Sequence, residues 1–246
     1  MNTFPEKLTS RLYRMVSGVS ANDLRFHLQD LSGAIAALDA HTRVDLQDWR
    51  DVFTETRNSQ DLADLFKKYG SDKASKHNYH VAYASLLRRD APLNILEIGL
   101  GTNNPRVLSG MGVNGRPGAA ERAFRDWAPN SRIYGADIDK GVLFTEERIE
   151  TFFADQTKPD TLKELGAKLP PLDLVIDDGL HFPRPNLNTI NFALPLLKED
   201  GLVVVEDIVA EHIPFWRVAI TVLSTRYVCQ FVQMKSEAIL IIRARR

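Results

Sequence analysis

The stretch NILEIGLGT, residues 94–102, decides the fold. Asn94–Ile98 has the composition of a buried strand, and it runs into Gly99-Leu100-Gly101. Glycines there let the backbone turn sharply and come close to a ligand. Two common phosphate-binding patterns fail at this turn. The dinucleotide fingerprint needs a third glycine three residues past the second, and that position is Asn104. The Lys-Ser/Thr pair of a P-loop is absent. What remains is Glu97-x-Gly99-x-Gly101 after a strand, which is either a ligand turn or a plain strand-to-helix connection.

Working outward, β-rich runs at 132–136, 150–153, 172–176 and 201–205 alternate with helix candidates. This predicts an α/β fold with a mostly parallel sheet and helices on both faces. Two further runs, Tyr227–Gln233 and 238–243, are separated by a short KSE turn and predict an antiparallel pair closing the sheet edge. Seven strands in this arrangement make a doubly wound fold. Residues 111–119 (MGVNGRPGA) read as an exposed Gly-rich loop in the first crossover.

Upstream, residues 1–60 read as a helical extension, a lid or an oligomerisation segment, and 61–246 as the main domain. Leu24, Leu28, Leu31, Ile35 and Leu38 recur at helical spacing, with Ser20 or Asn22 as a candidate cap. A second helix from about Ser59 to Tyr69 should stop at Gly70, with Lys67 and Lys68 in its last turn. A homo-oligomer is expected, because the sheet domain alone does not need this extension.

With 246 residues, 44% apolar and 26% charged, the chain can bury a full core. Its 31 Lys and Arg against 32 Asp and Glu leave a net charge of −1, which argues against a nucleic-acid partner. The single cysteine, Cys229, excludes an internal disulfide and a cysteine-based zinc site. The N-terminus lacks the apolar core of a secretory signal, and no apolar run reaches about 18 residues. A cytoplasmic location with no membrane span is expected.

Carboxylates recur where this topology places a ligand, at the carboxyl ends of the strands. Asp137 and Asp139 end the second strand and suit a ribose diol, which offers two hydroxyls to one carboxylate. Asp155 and Gln156 follow the third and could bond an adenine edge. Each acid alone reads as readily as a helix cap. Three in succession point to a nucleoside site.

These residues together resemble the class I S-adenosylmethionine-dependent methyltransferases over about residues 65–246. ILEIGLG is similar to their glycine-rich motif, Asp137 to the ribose acid, and FFADQT to the adenine segment. The resemblance implies their seven-stranded Rossmann-like fold, S-adenosylmethionine as cofactor, and Glu97, Gly99 and Gly101 among its contacts. More narrowly, YGSDK at 69–73, His77, Tyr79 and Tyr83, IDDGLH at 176–181 and VVVEDI at 203–208 resemble the metal-dependent sugar O-methyltransferases of macrolide biosynthesis. The mycinamicin and tylosin enzymes are examples. In that family such segments line the cofactor and substrate cleft. Lys73 or Tyr79 could hold the methionine carboxylate, or serve as exposed caps.

At the other end of the site, Asp177, Asp178 and His181 leave the fourth strand, and Glu206 and Asp207 leave the fifth. Crowded carboxylates raise each other's pKa, and a divalent cation removes that cost. An all-oxygen set with open positions suits Mg²⁺. By the resemblance Asp178, Glu206 and Asp207 are the metal ligands, with Asp177 beside them or on the cofactor side. His181 would take the proton of a metal-activated sugar hydroxyl. Phe215 and Trp216 offer a sugar an apolar face, or simply pack in the core. The rival readings are a catechol-type or other small-molecule O-methyltransferase, a nicotinamide-dependent oxidoreductase, and a non-catalytic cofactor-binding protein.

Overall fold

A computed structural model describes the backbone of residues 21–244, with side chains from residue 29. In chain order the elements are α1 (Ala21–Asp39), β1 (Gln47–Asp48), α2 (Trp49–Val52), α3 (Arg57–Tyr69), α4 (Tyr79–Leu86), β2 (Asn94–Ile98), α5 (Ala119–Trp127) and β3 (Arg132–Asp137). Then come β4 (Thr145–Glu146), β5 (Ile149–Phe153), α6 (Pro159–Gly166), β6 (Leu172–Asp177), α7 (Pro183–Ala193), β7 (Leu197–Ile208), α8 (Ile213–Leu223), β8 (Tyr227–Gln233) and β9 (Ala238–Ala244).

The strands form one sheet in the order β1-β8-β9-β7-β6-β2-β3-β5-β4. The expected count of seven is corrected to nine. The two additions, β1 and β4, are two-residue edge strands, too short to show any hydrophobic period. From β5 through β3, β2 and β6 to β7 the pairing is parallel, and β9 inserts antiparallel between β7 and β8. The order reverses at β2, whose neighbours are β3 and β6. In open α/β sheets ligands bind at such a switch point, outside the carboxyl ends of the strands.

Because successive strand residues face opposite sides, each strand feeds two cores. Ile95, Ile133, Leu174, Val204 and Ile241 pack under α3, α4 and α5. Leu96, Tyr134, Val175, Val203 and Leu240 pack under α6, α7 and α8. Phe124 of α5 meets Phe66 of α3 and Tyr83 of α4 edge to face, with ring centroids 5.3 and 5.2 Å apart. Burying each such side chain contributes about 1.5–3 kcal/mol. The first core therefore fixes α4 on the sheet, which matters below because α4 carries residues of the site.

Helix α3 begins in a capping box. The Ser59 N–H donates to Thr56 Oγ1 (3.1 Å) and the Thr56 N–H to Ser59 Oγ (2.8 Å). It stops at Gly70, where φ is 89° and only glycine fits easily. Helix α1 takes in Asn22, which is therefore not its cap; Ser20, and the side chains of Leu24 and Leu28, lie outside the described residues. Asp39 at the end of α1 pairs with Arg217 of α8 (3.5 Å). Ile35 is half-buried, while Leu31 and Leu38 stay exposed at 58% and 56%. Among the described residues no helix is long and apolar enough to cross a membrane.

Candidate active site

Two cavities open at the carboxyl ends of the strands and meet at Gly99, Gly101 and Asp178. One, of about 300 Å³, lies over β2, β3 and β5 and is lined by Asp137, Ile138, Ala154, Asp155 and Gln156 among others. The other, of about 620 Å³, lies over β2, β6 and β7 and is lined by Lys73, Glu97, Glu121, Asp178, His181 and Asp207 among others. The 111–119 loop stays largely exposed, as expected, yet Met111, Asn114 and Gly115 form part of the wall of the larger cavity.

Gly99 makes the junction possible. Its φ is 106°, and a Cβ there would run into the Asp178 carbonyl. The Asp178 N–H donates to the Ile98 carbonyl (2.9 Å), so the turns after β2 and β6 are in backbone contact. Any side chain at Gly99 would pry the two cavities apart.

In the smaller cavity the acids are held by backbone. Asp137 accepts from the Leu100 N–H (2.9 Å) through one carboxylate oxygen and from the Asp139 N–H (2.8 Å) through the other. Burial raises its pKa against the pull of these N–H groups. Asp137 thus ties the glycine turn to the end of β3 and still faces the cavity. Asp155 accepts from the Thr157 N–H (3.0 Å) and hydroxyl (2.6 Å), and pairs with Lys158 (2.8 Å).

Two expected cofactor residues are employed elsewhere. Asp139 caps the next turn, accepting from the Gly141 N–H (2.9 Å) and the Thr102 hydroxyl (2.6 Å), and lines neither cavity. Asp177 is fully buried on the opposite sheet face, where the Gln156 amide donates to it (2.6 Å), and it too lines neither cavity. The reason is the strand period. Asp177 and Asp178 are successive residues, so when one faces the cleft the other points down. Gln156 lines the smaller cavity, but its amide braces the loop after β6, donating to Thr189 Oγ1 (2.8 Å) and accepting from the Leu180 N–H (2.9 Å).

In the larger cavity side chains hold the acids. Lys73, only 3% exposed, places its ammonium 3.0 Å from Glu97 and 2.7 Å from Asp178, and against Glu206. Burial works against its charge, but the carboxylates overcome this and raise its pKa. Burial also pushes Glu97 and Glu206 well above the usual carboxylate range, with Lys73 opposing. Three carboxyl groups share one ammonium, and Glu97 Oε2 has no hydrogen-bond partner. The Tyr83 hydroxyl donates to Glu206, and the Tyr79 hydroxyl donates to Asp207 (2.6 Å). Both phenols have raised pKa values, first through burial and then through these acids. Lys73 and Tyr79 are therefore not exposed caps. They join the acid cluster.

The expected metal trio closes only in part. Among the described residues, Asp178 gathers with Glu97 and Glu206 in one group, and with His181 and Asp207 in another; a third group joins His77, Asp207 and Glu237. Asp178 is the hinge of the first two. His181 Nε2 stands 3.9 Å from Asp178 Oδ1, while its buried Nδ1 has no partner. His181 and Asp207 both hold positive φ, 57° and 54°, the left-handed region that residues other than glycine seldom adopt.

Sequence reading passed over two participants. Glu121 is fully buried and lines the larger cavity, but in AAERAF it reads as a residue of an exposed helix face. Burial raises its pKa to about 7. Glu237 pairs with the buried His77 (2.8 Å) from the β8–β9 turn, a contact that no local spacing announces. Trp216 is fully buried in the core under α8 and Phe215 packs on it edge to face (5.4 Å), so neither meets the cleft.

The fold is that of the class I methyltransferases. It superposes on the MycE methyltransferase of the mycinamycin biosynthetic pathway, solved in complex with Mg and SAH, with a TM-score of 0.62 and 24% identity over 76% of this chain and 55% of that one. By sequence the chain resembles enzymes that methylate sugar-bearing natural products. It is 32% identical over 160 residues to 8-demethyl-8-alpha-L-rhamnosyl tetracenomycin-C 2'-O-methyltransferase of Streptomyces olivaceus, covering 64% of this chain and 40% of that protein. It is 31% identical over 162 residues to demethylmacrocin O-methyltransferase of Streptomyces fradiae, covering 65% and 39%. It is 29% identical over 157 residues to mycinamicin VI 2''-O-methyltransferase of Micromonospora griseorubida, covering 63% and 37%. The chain thus spans about 40% of the length of the curated relatives it matches. No family model matches it.

Proposed function

We propose that this chain is an S-adenosylmethionine- and Mg²⁺-dependent O-methyltransferase acting on a sugar hydroxyl of a glycoside, glycolipid or polysaccharide precursor. One observation carries the reading. A cavity walled by glycine turn and strand-end acids meets, at Asp178, a second cavity whose carboxyl groups outnumber their one ammonium. The first suits a nucleoside donor. The second is an all-oxygen set of carboxyl groups with only one ammonium among them, which suits a hard divalent cation.

When bound, the sulfonium donor supplies an activated methyl group, and the cation lowers the pKa of a coordinated hydroxyl. The chain's own residues do the rest. Asp178, Glu206 and Asp207 would hold the cation, and Tyr83 and Tyr79 orient the last two. Asp137 receives the ribose hydroxyls. His181 Nε2, across 3.9 Å from Asp178, takes the hydroxyl proton. The contact between the turns at Gly99 and Asp178 fixes donor and acceptor sides in register, so orientation supplies much of the rate.

This reading keeps residues 1–60 as a lid or oligomer seam, with the exposed Leu31 and Leu38 as the surface another subunit would cover. It also keeps a cytoplasmic location. Labelled methyl transfer to a panel of glycosides and catechols, with and without EDTA, tests the function. Product from glycosides that disappears with EDTA is expected. Product from catechols alone, or turnover indifferent to EDTA, contradicts it.

A further inference from the structure

Lys73 lies in the connection between α3 and α4, within GSDKAS, a run with the composition of a solvated turn. Its side chain is nevertheless buried. A lysine is seldom buried unless it is paired. The backbone ties it to the site. The Lys73 carbonyl accepts from the Tyr79 N–H (2.7 Å), which fixes residue 73 against the first turn of α4. The ammonium, with three N–H donors, meets three carboxyl groups: Glu97 through Oε1 (3.0 Å), Asp178 through Oδ2 (2.7 Å) and Glu206 through Oε2. Among the described residues no other lysine or arginine pairs with these acids.

Asp178 and Glu206 are two of the three metal ligands proposed above. Both oxygens of Glu206 are engaged, Oε1 by the Tyr83 hydroxyl and Oε2 by Lys73. One oxygen from each of Glu97, Asp178 and Glu206 lies within 4.8 Å of the others, so the three could share a single cation, and the ammonium stands among them. A divalent cation on Asp178 and Glu206 needs the oxygens that Lys73 holds, and two cations on one pair of oxygens repel at short range. The third acid gives the ammonium somewhere to go. Glu97 is outside the proposed ligand set, it is buried, and its Oε2 has no hydrogen-bond partner. We propose that Lys73 is a resident counter-cation of the acid cluster, one that competes with the divalent cation and yields Asp178 and Glu206 to it by withdrawing onto Glu97. Lys73 is thus a positioning residue that holds the ligands together and sets how tightly the cation binds. This inference rests on the Mg²⁺-dependent reading and adds to it a residue that opposes the metal.

Calorimetric titration with Mn²⁺ tests it. Lys73→Met should bind Mn²⁺ at least about tenfold more tightly than the native chain. Its melting temperature should rise further than the native one on adding Mn²⁺. Lys73→Arg keeps the charge and should bind no more tightly than the native chain. Equal or weaker binding by Lys73→Met, or tighter binding by Lys73→Arg as well, would overturn the competition. A measurement on the native chain covers the case in which the variants fail to fold. In ¹⁵N NMR of lysine Nζ, the signal of the buried ammonium should shift or vanish on saturation with Mg²⁺, and an unmoved signal overturns the proposal. If neither the native chain nor Lys73→Met binds a divalent cation, the metal-dependent reading itself fails. If the native chain binds the cation and Lys73 does not respond, this inference fails alone.

Discussion

The two ends of the cleft hold their acids in different ways. Over β3 and β5, Asp137 and Asp155 are satisfied largely by N–H groups of their own or adjacent turns. Over β6 and β7, Asp178, Glu206 and Asp207 are satisfied by Lys73, Tyr83 and Tyr79, side chains that arrive from more than a hundred residues upstream. The first arrangement fixes a loop. The second gathers several carboxyl groups around one ammonium, an arrangement that a divalent cation can enter. The contrast separates the parts of the site whose loss should damage structure from those whose loss should damage chemistry.

The largest effect should come from Asp178, which belongs to two acid groups and touches the glycine turn. Asp178→Asn should cut methyl transfer by about 100-fold or more, as loss of a main electrostatic group does, while S-adenosylhomocysteine still binds in calorimetry. Loss of both together would erase the distinction between the two ends. At Gly99 the distinction predicts damage of the other kind. Gly99→Ala places a side chain against the Asp178 carbonyl at a φ of 106°, and should lower stability by roughly 2–4 kcal/mol in urea unfolding. An unchanged midpoint would mean that the turns are not in contact.

Tyr79→Phe sharpens the comparison. It removes the hydroxyl that orients Asp207 and leaves the ring stacked on His77 (4.9 Å). Divalent-cation affinity should fall about tenfold, the lower range for loss of a group that orients a ligand, and S-adenosylhomocysteine affinity should not move. A loss of cofactor affinity instead would put Tyr79 on the methionine tail.

The smallest effect is one of pH. Glu121 has a folded pKa raised to about 7 from 4.5, so the folded state holds a proton that the unfolded state has released between those values. Stability therefore falls as pH rises through that window. Glu121→Gln removes the penalty, so relative to the native chain its melting temperature should be higher at pH 8 than at pH 5. The same difference at both pH values would contradict a raised pKa.

Much of the backbone-held end was legible in the sequence, because strand, glycine turn and terminal acid lie within a few residues of one another. Asp139 and Asp177 show the limit. Their type and spacing suit a ligand, but the neighbouring turn and the strand period decide where each carboxylate points. The side-chain-held end was legible in its acids and only partly in their partners. Lys73 and Tyr79 stood out in YGSDKASKHNY, but their contacts with Asp178 and Asp207 depend on how the α3–α4 connection and α4 dock on the sheet. Glu121 gave no signal, since a buried acid on an amphipathic helix reads as a solvated one. The edge strands β1 and β4 fall below the length at which any period shows.

The most direct measurement is anomalous diffraction from a crystal soaked with Mn²⁺ and S-adenosylhomocysteine. One strong peak is expected among the carboxylates of Asp178, Glu206 and Asp207, with the nucleoside over Asp137. A peak at His77 and Glu237 instead, or Lys73 still seated among the acids with no metal at saturating Mn²⁺, would contradict it.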